Sequence, residues 1–172
     1  MDNRRGHFER LYRRHVGEVA AYVARRADRQ LVQDVVADTF LVAWRRLDDV
    51  PDDTLPWLYA VARKTLANHR RSSSRQRSLL ERLRSAPAPP PHLDDTELAS
   101  ALARLGERDR EILLLVAWEG LAPAEAAVVL GCSAVAARLR LHRARKRLAE
   151  ALGRSPARTR TNPKETPLEE AP

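Results

Sequence analysis

Between Arg138 and Arg147 the sequence sets six basic side chains and no acid: Arg138, Arg140, Arg143, Arg145, Lys146 and Arg147, with His142 among them. An arginine fork matches the O6/N7 edge of guanine in a bidentate fashion, and any guanidinium or ammonium group can neutralise a phosphate. A helix carrying these residues has the chemistry of a nucleic-acid reader. The residues just before it supply a frame. Leu121-Ala-Pro-Ala-Glu125-Ala-Ala-Val-Val-Leu130-Gly131-Cys132-Ser133-Ala134 reads as a short helix, a tight turn at Gly131 and the start of a second helix, the pattern of a helix-turn-helix. Ser133 is expected to cap the second helix, with Val135, Leu139 or Leu141, and Leu148 facing inward.

A second basic stretch, Arg63 to Arg77, also lacks acids. It falls in a helix expected from Thr54, as N-cap, to about Arg77, with Pro56 in the first turn. Leu55, Leu58, Ala62, Leu66 and His69 form an inner stripe. Trp57, Val61, Lys64, Asn68 and Arg71 form an outer one, where an amide followed by cations can meet unstacked bases and their backbone; Trp57 is expected to be half-buried core. Charge reverses between Asp28 and Asp53, with seven acids against three bases. There a helix from about Leu31 to Leu47 spends Val32, Val35, Val36, Thr39, Phe40, Ala43, Trp44 and Leu47 on its apolar stripe. Leu41 and Val42 lie off that stripe, beside Asp34, Asp38 and Arg45. An apolar pair rimmed by acids suggests a protein partner with a basic surface.

The elements that position these residues are all helical in pattern. Apolar residues recur at helical spacing, no strand-like alternation is sustained, and only 6 of the 172 residues are Gly. The expected fold class is all-α, with two small helical domains. A first helix should span about Gly6 to Ala27, with Phe8, Leu11, Tyr12, His15, Val19, Tyr22 and Val23 along one stripe. Ser85 to Asp94 is too rich in proline for a helix and reads as a linker. Four short helices follow: Thr96 to Leu105, Glu107 to Trp118, Pro123 to Leu130 and Ala134 to about Leu152. Gly106, Gly120 and Gly131 mark the breaks, where positive φ is expected. The expected organisation is therefore 1–78 as one domain, 79–94 as linker, 95–152 as the helix-turn-helix domain and 153–172 as a disordered tail.

The net charge of +8 and pI near 10.6 agree with a phosphate-binding protein, although only three of the 31 basic residues are lysine, a bias that a GC-rich genome produces by itself. The single cysteine, Cys132, allows no internal disulfide, and no CxxC or HxxxC cluster is present to hold zinc. Met1 to Arg14 lacks the apolar run of a signal peptide, and no stretch approaches the length of a membrane span. A cytoplasmic protein without membrane insertion is expected. Gly-rich phosphate loops, Gly-x-Ser-x-Gly elbows and His-Glu-x-x-His are absent from the sequence, so no enzyme is expected and no catalytic residue, metal site or cofactor is assigned.

Three ordered segments carry a resemblance: Gln33-Asp-Val-Val-Ala-Asp-Thr-Phe-Leu-Val-Ala-Trp-Arg45, Pro56-Trp-Leu-Tyr-Ala-Val-Ala-Arg-Lys-Thr-Leu-Ala-Asn-His-Arg-Arg71, and Leu105 to Leu115 with the helix-turn-helix closing in Arg138 to Arg145. Over roughly residues 7 to 152 the chain resembles the extracytoplasmic-function group of bacterial RNA polymerase sigma factors. The resemblance implies that the first domain is sigma region 2, whose acidic helix grips the polymerase core enzyme, here through Asp34, Asp38, Leu41 and Arg45. It implies that the loop from Asp48 to Thr54 and the helix after it recognise and open the minus-10 element, with Lys64, Asn68 and Arg71 on DNA and Asn68 near a flipped base. The second domain would be sigma region 4, reading the minus-35 element through Arg138, Leu139, Arg140, His142, Arg143, Arg145 and Lys146. RNA polymerase core enzyme, promoter DNA and an anti-sigma factor are the implied partners, and a stress or envelope-signal regulon the implied target. The chain departs from the family pattern at Ala37, at Val135-Ala136 and at Leu139. The alternative is a stand-alone helix-turn-helix repressor or activator, which would leave the acidic helix and the Pro-rich linker without a role.

Overall fold

The computed structural model describes residues 2–80 and 96–153, and all regular secondary structure among them is helical. Most of the expected linker and tail lies outside the described residues. Three helices make the first bundle: α1 (Asp2–Ala24), α2 (Arg29–Arg45) and α3 (Thr54–Leu80), with a 3-10 turn at Leu47–Asp49 after α2. Four make the second: α4 (Thr96–Arg104), α5 (Glu107–Ala117), α6 (Pro123–Leu130) and α7 (Ala134–Ala151). No described helix is long and apolar enough to cross a membrane.

In the first bundle α1, α2 and α3 pack on one another along the stripes that periodicity sets. Val19, Tyr22, Val23, Val35, Ala43, Leu58 and Ala62 are fully enclosed. Thr39 is buried in the same stripe, and its hydroxyl donates to the Val35 carbonyl at 2.6 Å, so α2 carries a polar residue inward at little cost. Two aromatic residues depart from their expected place. Tyr12 and Trp44 are 41% and 38% exposed. They form the outer edge of a cluster in which Phe8 meets Trp44 edge-on at 5.2 Å and Tyr12 meets Phe40 at 4.8 Å. Their rings close the bundle at its rim. Thr54 is not the N-cap expected of it. It is the first residue of α3, and its hydroxyl donates to the Pro51 carbonyl, tightening the loop before the helix.

The second bundle has its own interior, in which Leu102, Leu105, Ile112 and Leu113 meet Ala127, Ala137, Leu141 and Ala144. Arg110 organises the α4–α5 corner by donating to the carbonyls of Leu102, Ala103 and Leu105, at a helix end where carbonyls outnumber the backbone donors. Gly131 ends α6 at φ 64°, a left-handed conformation that a side chain would strain, and Gly120 is likewise positive at φ 67°. Gly106 is not: at φ −59° it is an extended residue leading into α5, so its position there does not rest on glycine's freedom.

The two bundles are packed together. α6 lies on α3, and Leu115, Leu121, Ala126 and Val129 join Tyr22, Leu58, Tyr59 and Leu66 in one buried cluster.

Candidate nucleic-acid interface

The helix-turn-helix is built from the turn outward. Glu125 accepts a hydrogen bond from the Ala122 amide at the start of α6, and Pro123 occupies the first turn. After Gly131 the Ser133 hydroxyl accepts from the Ala136 amide at 3.1 Å, capping α7 as its position implied. The inward face of α7 is Ala137, Leu141 and Ala144. Two alanines permit close approach to α5 and α6, and they fix the rotation of the helix. Arg138, Leu139, His142, Arg143, Arg145 and Lys146 are thereby exposed, and Arg140 is half-buried at the margin. Leu148 is partly buried, as expected. Val135, expected to face inward, is instead 69% exposed, and Leu139, one of two candidates for the inner face, is 48% exposed while Leu141 takes the interior. Arg147 stays exposed on α7, with its guanidinium paired to the buried Asp109 carboxylate of α5.

On the first bundle Asp34, Asp38, Leu41 and Arg45 fall on one exposed face of α2, at the i, i+4, i+7, i+11 spacing of a helical stripe. Leu41 is 44% exposed, so the face has an apolar centre between charges. Lys64, Asn68 and Arg71 are exposed on α3, and the Arg71 guanidinium donates to the Asn68 side-chain oxygen. A groove of about 390 Å³ runs between the two helices, lined by Asp38, Leu41, Val42, Arg45, Thr65, Asn68, His69 and Ser72. It brings three of the four docking candidates beside Asn68. His69, expected on the inner stripe of α3, turns its Nε2 to the Asp38 carboxylate at 2.8 Å and bolts the two faces together. Sequence reasoning missed Thr65, His69 and Ser72 as groove residues, since their positions give no signal until α2 and α3 are in register.

A second polar assembly joins the bundles. Tyr22 donates to Glu111 at 3.0 Å, Arg26 reaches both Glu111 oxygens at 3.1 and 3.0 Å and Glu119 at 2.8 Å, and Arg25 pairs with Glu119. The Arg26 guanidinium lies 3.8 Å from the centre of the Tyr22 ring, which stacks on Tyr59 at 4.7 Å. Burial and the Glu111 carboxylate push the Tyr22 phenol far above its ordinary pKa, and burial with Glu119 and Glu18 nearby pushes Tyr59 up to about 12. Burial works most strongly against the charge on Arg26, but Glu111, Tyr22 and Glu119 together outweigh it and raise the pKa. Tyr22, Tyr59 and Arg26 therefore keep one protonation state at neutral pH, and the assembly is structural. His15, in contrast, is buried, its Nδ1 has no hydrogen-bond partner among the described residues, and desolvation lowers its pKa.

One bundle thus exposes a cationic helix and the other a mixed acidic and apolar face, the two surfaces that a protein reading DNA in company with a protein partner would need. Sigma-70 region 2 matches residues 11–76 and Sigma-70, region 4 matches residues 95–148. The chain is 33% identical to the RNA polymerase sigma factor NccH of Alcaligenes xylosoxydans xylosoxydans over 157 residues, covering 82% of this chain and 84% of that one. It is 32% identical to the ECF RNA polymerase sigma factor EcfG of Rhodopseudomonas palustris, with 73% and 72% covered. Its fold is similar to that of the sigma factor RpoE in complex with the anti-sigma factor NepR from Bartonella quintana, at a TM-score of 0.64 and 26% identity over 85% of this chain and 96% of that one. The chain belongs to the extracytoplasmic-function group of RNA polymerase sigma factors.

Proposed function

We propose that this protein binds RNA polymerase core enzyme and directs it to specific promoters, supplying recognition and strand-opening contacts while the polymerase performs the phosphoryl chemistry. The reading assigns Asp34, Asp38, Leu41 and Arg45 to the polymerase, Lys64, Asn68 and Arg71 to the minus-10 element, and Arg138, Leu139, Arg140, His142, Arg143, Arg145 and Lys146 to the minus-35 element. Residues 1–78 then act as region 2 and 95–152 as region 4. The observation that carries it is the rotation of α7: with Ala137, Leu141 and Ala144 buried, nearly all the candidate base and phosphate contacts of this helix face outward together. An anti-sigma factor is a partner of this protein, in keeping with the NepR-bound relative. Action in the cytoplasm, on a stress or envelope-signal regulon, completes the proposal.

Reconstituted run-off transcription tests it. Core polymerase with this chain should yield transcripts from a limited set of genomic promoters, with steep salt dependence, and the isolated chain should bind the same duplexes weakly. A tight, specific complex of the isolated chain with duplex at physiological salt would instead favour a stand-alone regulator.

A further inference from the structure

We infer that Val135 and Leu139 are specificity-determining residues that read the C5-methyl groups of thymines in the minus-35 element, an assignment that rests on the reading of α7 above. At about 100° per residue, the direction opposite the buried Ala137, Leu141 and Ala144 is occupied by Val135, Leu139, His142 and Lys146. The pole of the exposed face is thus aliphatic in its N-terminal half and polar beyond. Val135 and Leu139 are 69% and 48% exposed, although Arg138, His142 and Arg143 around them show that the chain is rich in groups that water would favour there. In a helix-turn-helix it is the N-terminal part of the second helix that meets base edges, and α7 begins at Ala134 with its first turn capped by Ser133.

Among the groups displayed in the major groove, the thymine methyl is the one that an aliphatic side chain recognises, and arginine or histidine beside it takes the neighbouring acceptors. Four residues of helix rise by about 6 Å, a distance that spans roughly two base-pair steps. The pair therefore fits thymines one or two positions apart, flanked by a guanine within reach of Arg138 or Arg143.

The experiment uses holoenzyme reconstituted with this chain and promoters selected from a library randomised in the minus-35 element. Thymine should be enriched at two nearby positions. Replacing each of these singly by deoxyuridine, which deletes the methyl and nothing else, should weaken binding about fourfold, the worth of one buried methyl. Leu139→Ala holoenzyme should bind the thymine promoter as weakly as wild type binds the deoxyuridine one, and should be indifferent to the replacement. Val135→Ala should do the same at the other position. Because both side chains are exposed, circular dichroism should report unchanged folding. Wild-type holoenzyme that transcribes from these promoters but ignores deoxyuridine everywhere overturns the inference, as does a Leu139→Ala variant altered only in its binding to an anti-sigma protein. Wild-type holoenzyme with no promoter preference at all would overturn the sigma-factor reading beneath it.

Discussion

Arg26, in the turn after α1, donates to Glu119, 93 residues further along the chain, at 2.8 Å, with 6% and 1% of the two side chains exposed. Each charge is out of water and depends on its partner, since a buried ion left alone keeps its full desolvation cost. Glu119→Ala should therefore destabilise the protein by about 3 kcal/mol or more, read as a lowered urea midpoint. An unchanged midpoint would mean that water already reaches Arg26.

The docking face proposed for α2 can be removed without touching the interior. Asp38→Arg combined with Leu41→Asp should abolish binding to core polymerase in a pull-down while the far-ultraviolet spectrum stays helical. His69→Gln alone, which loosens Asp38 from α3, should weaken binding only a few-fold, in line with loss of one exposed contact. Full affinity in the double variant would place the polymerase on another face.

On α7 the two kinds of contact predict different fingerprints. Arg143→Ala should cost about 1 to 3 kcal/mol at one or two minus-35 positions, and Arg145→Ala should weaken all sequences alike. Holoenzyme activity against the randomised minus-35 library separates them. Uniform loss for Arg143→Ala, or a shifted preference for Arg145→Ala, would reverse the division of roles.

Stability should depend on pH through His15. Desolvation lowers its pKa in the folded chain from the ordinary 6.5, against a raising contribution from Glu18. As pH falls below about 6.5 the unfolded chain binds a proton that the folded chain still refuses, so stability decreases from there down to the folded pKa and is constant below it. Urea midpoints measured at about pH 7.5 and about pH 5.5 should differ more for the wild type than for His15→Leu. Equal slopes would show that other groups carry the dependence.

The helices themselves were legible because their apolar stripes are long and regular. Val35, Thr39, Phe40 and Ala43 place α2 without ambiguity, and Gly131 with Ser133 marks the turn between α6 and α7. The rotation of α7 was harder to read. Its inner face is largely alanine, which carries little hydropathic contrast, so Val135 claimed the interior on apolarity alone and lost it to Ala137 and Ala144, whose small size permits closer packing. The junction of the bundles was illegible for another reason. Arg25, Arg26, Glu111 and Glu119 look like surface residues until they meet, and nothing in either segment names its partner. Tyr22 gave a faint signal, since a tyrosine placed on a buried stripe needs a destination for its hydroxyl.

The packing of α6 on α3 also sets how the molecule melts. Leu58 and Tyr59 share one buried cluster with Leu115, Ala126 and Val129, so neither bundle has a finished interior on that side by itself. Separating the two would expose apolar surface on both at once, and such exposure raises the heat capacity in the same manner as unfolding does. The free protein should therefore melt as a single cooperative unit, and a cavity cut at Val129 in the second bundle should be felt as lost hydrogen-exchange protection in α1 and α3 of the first.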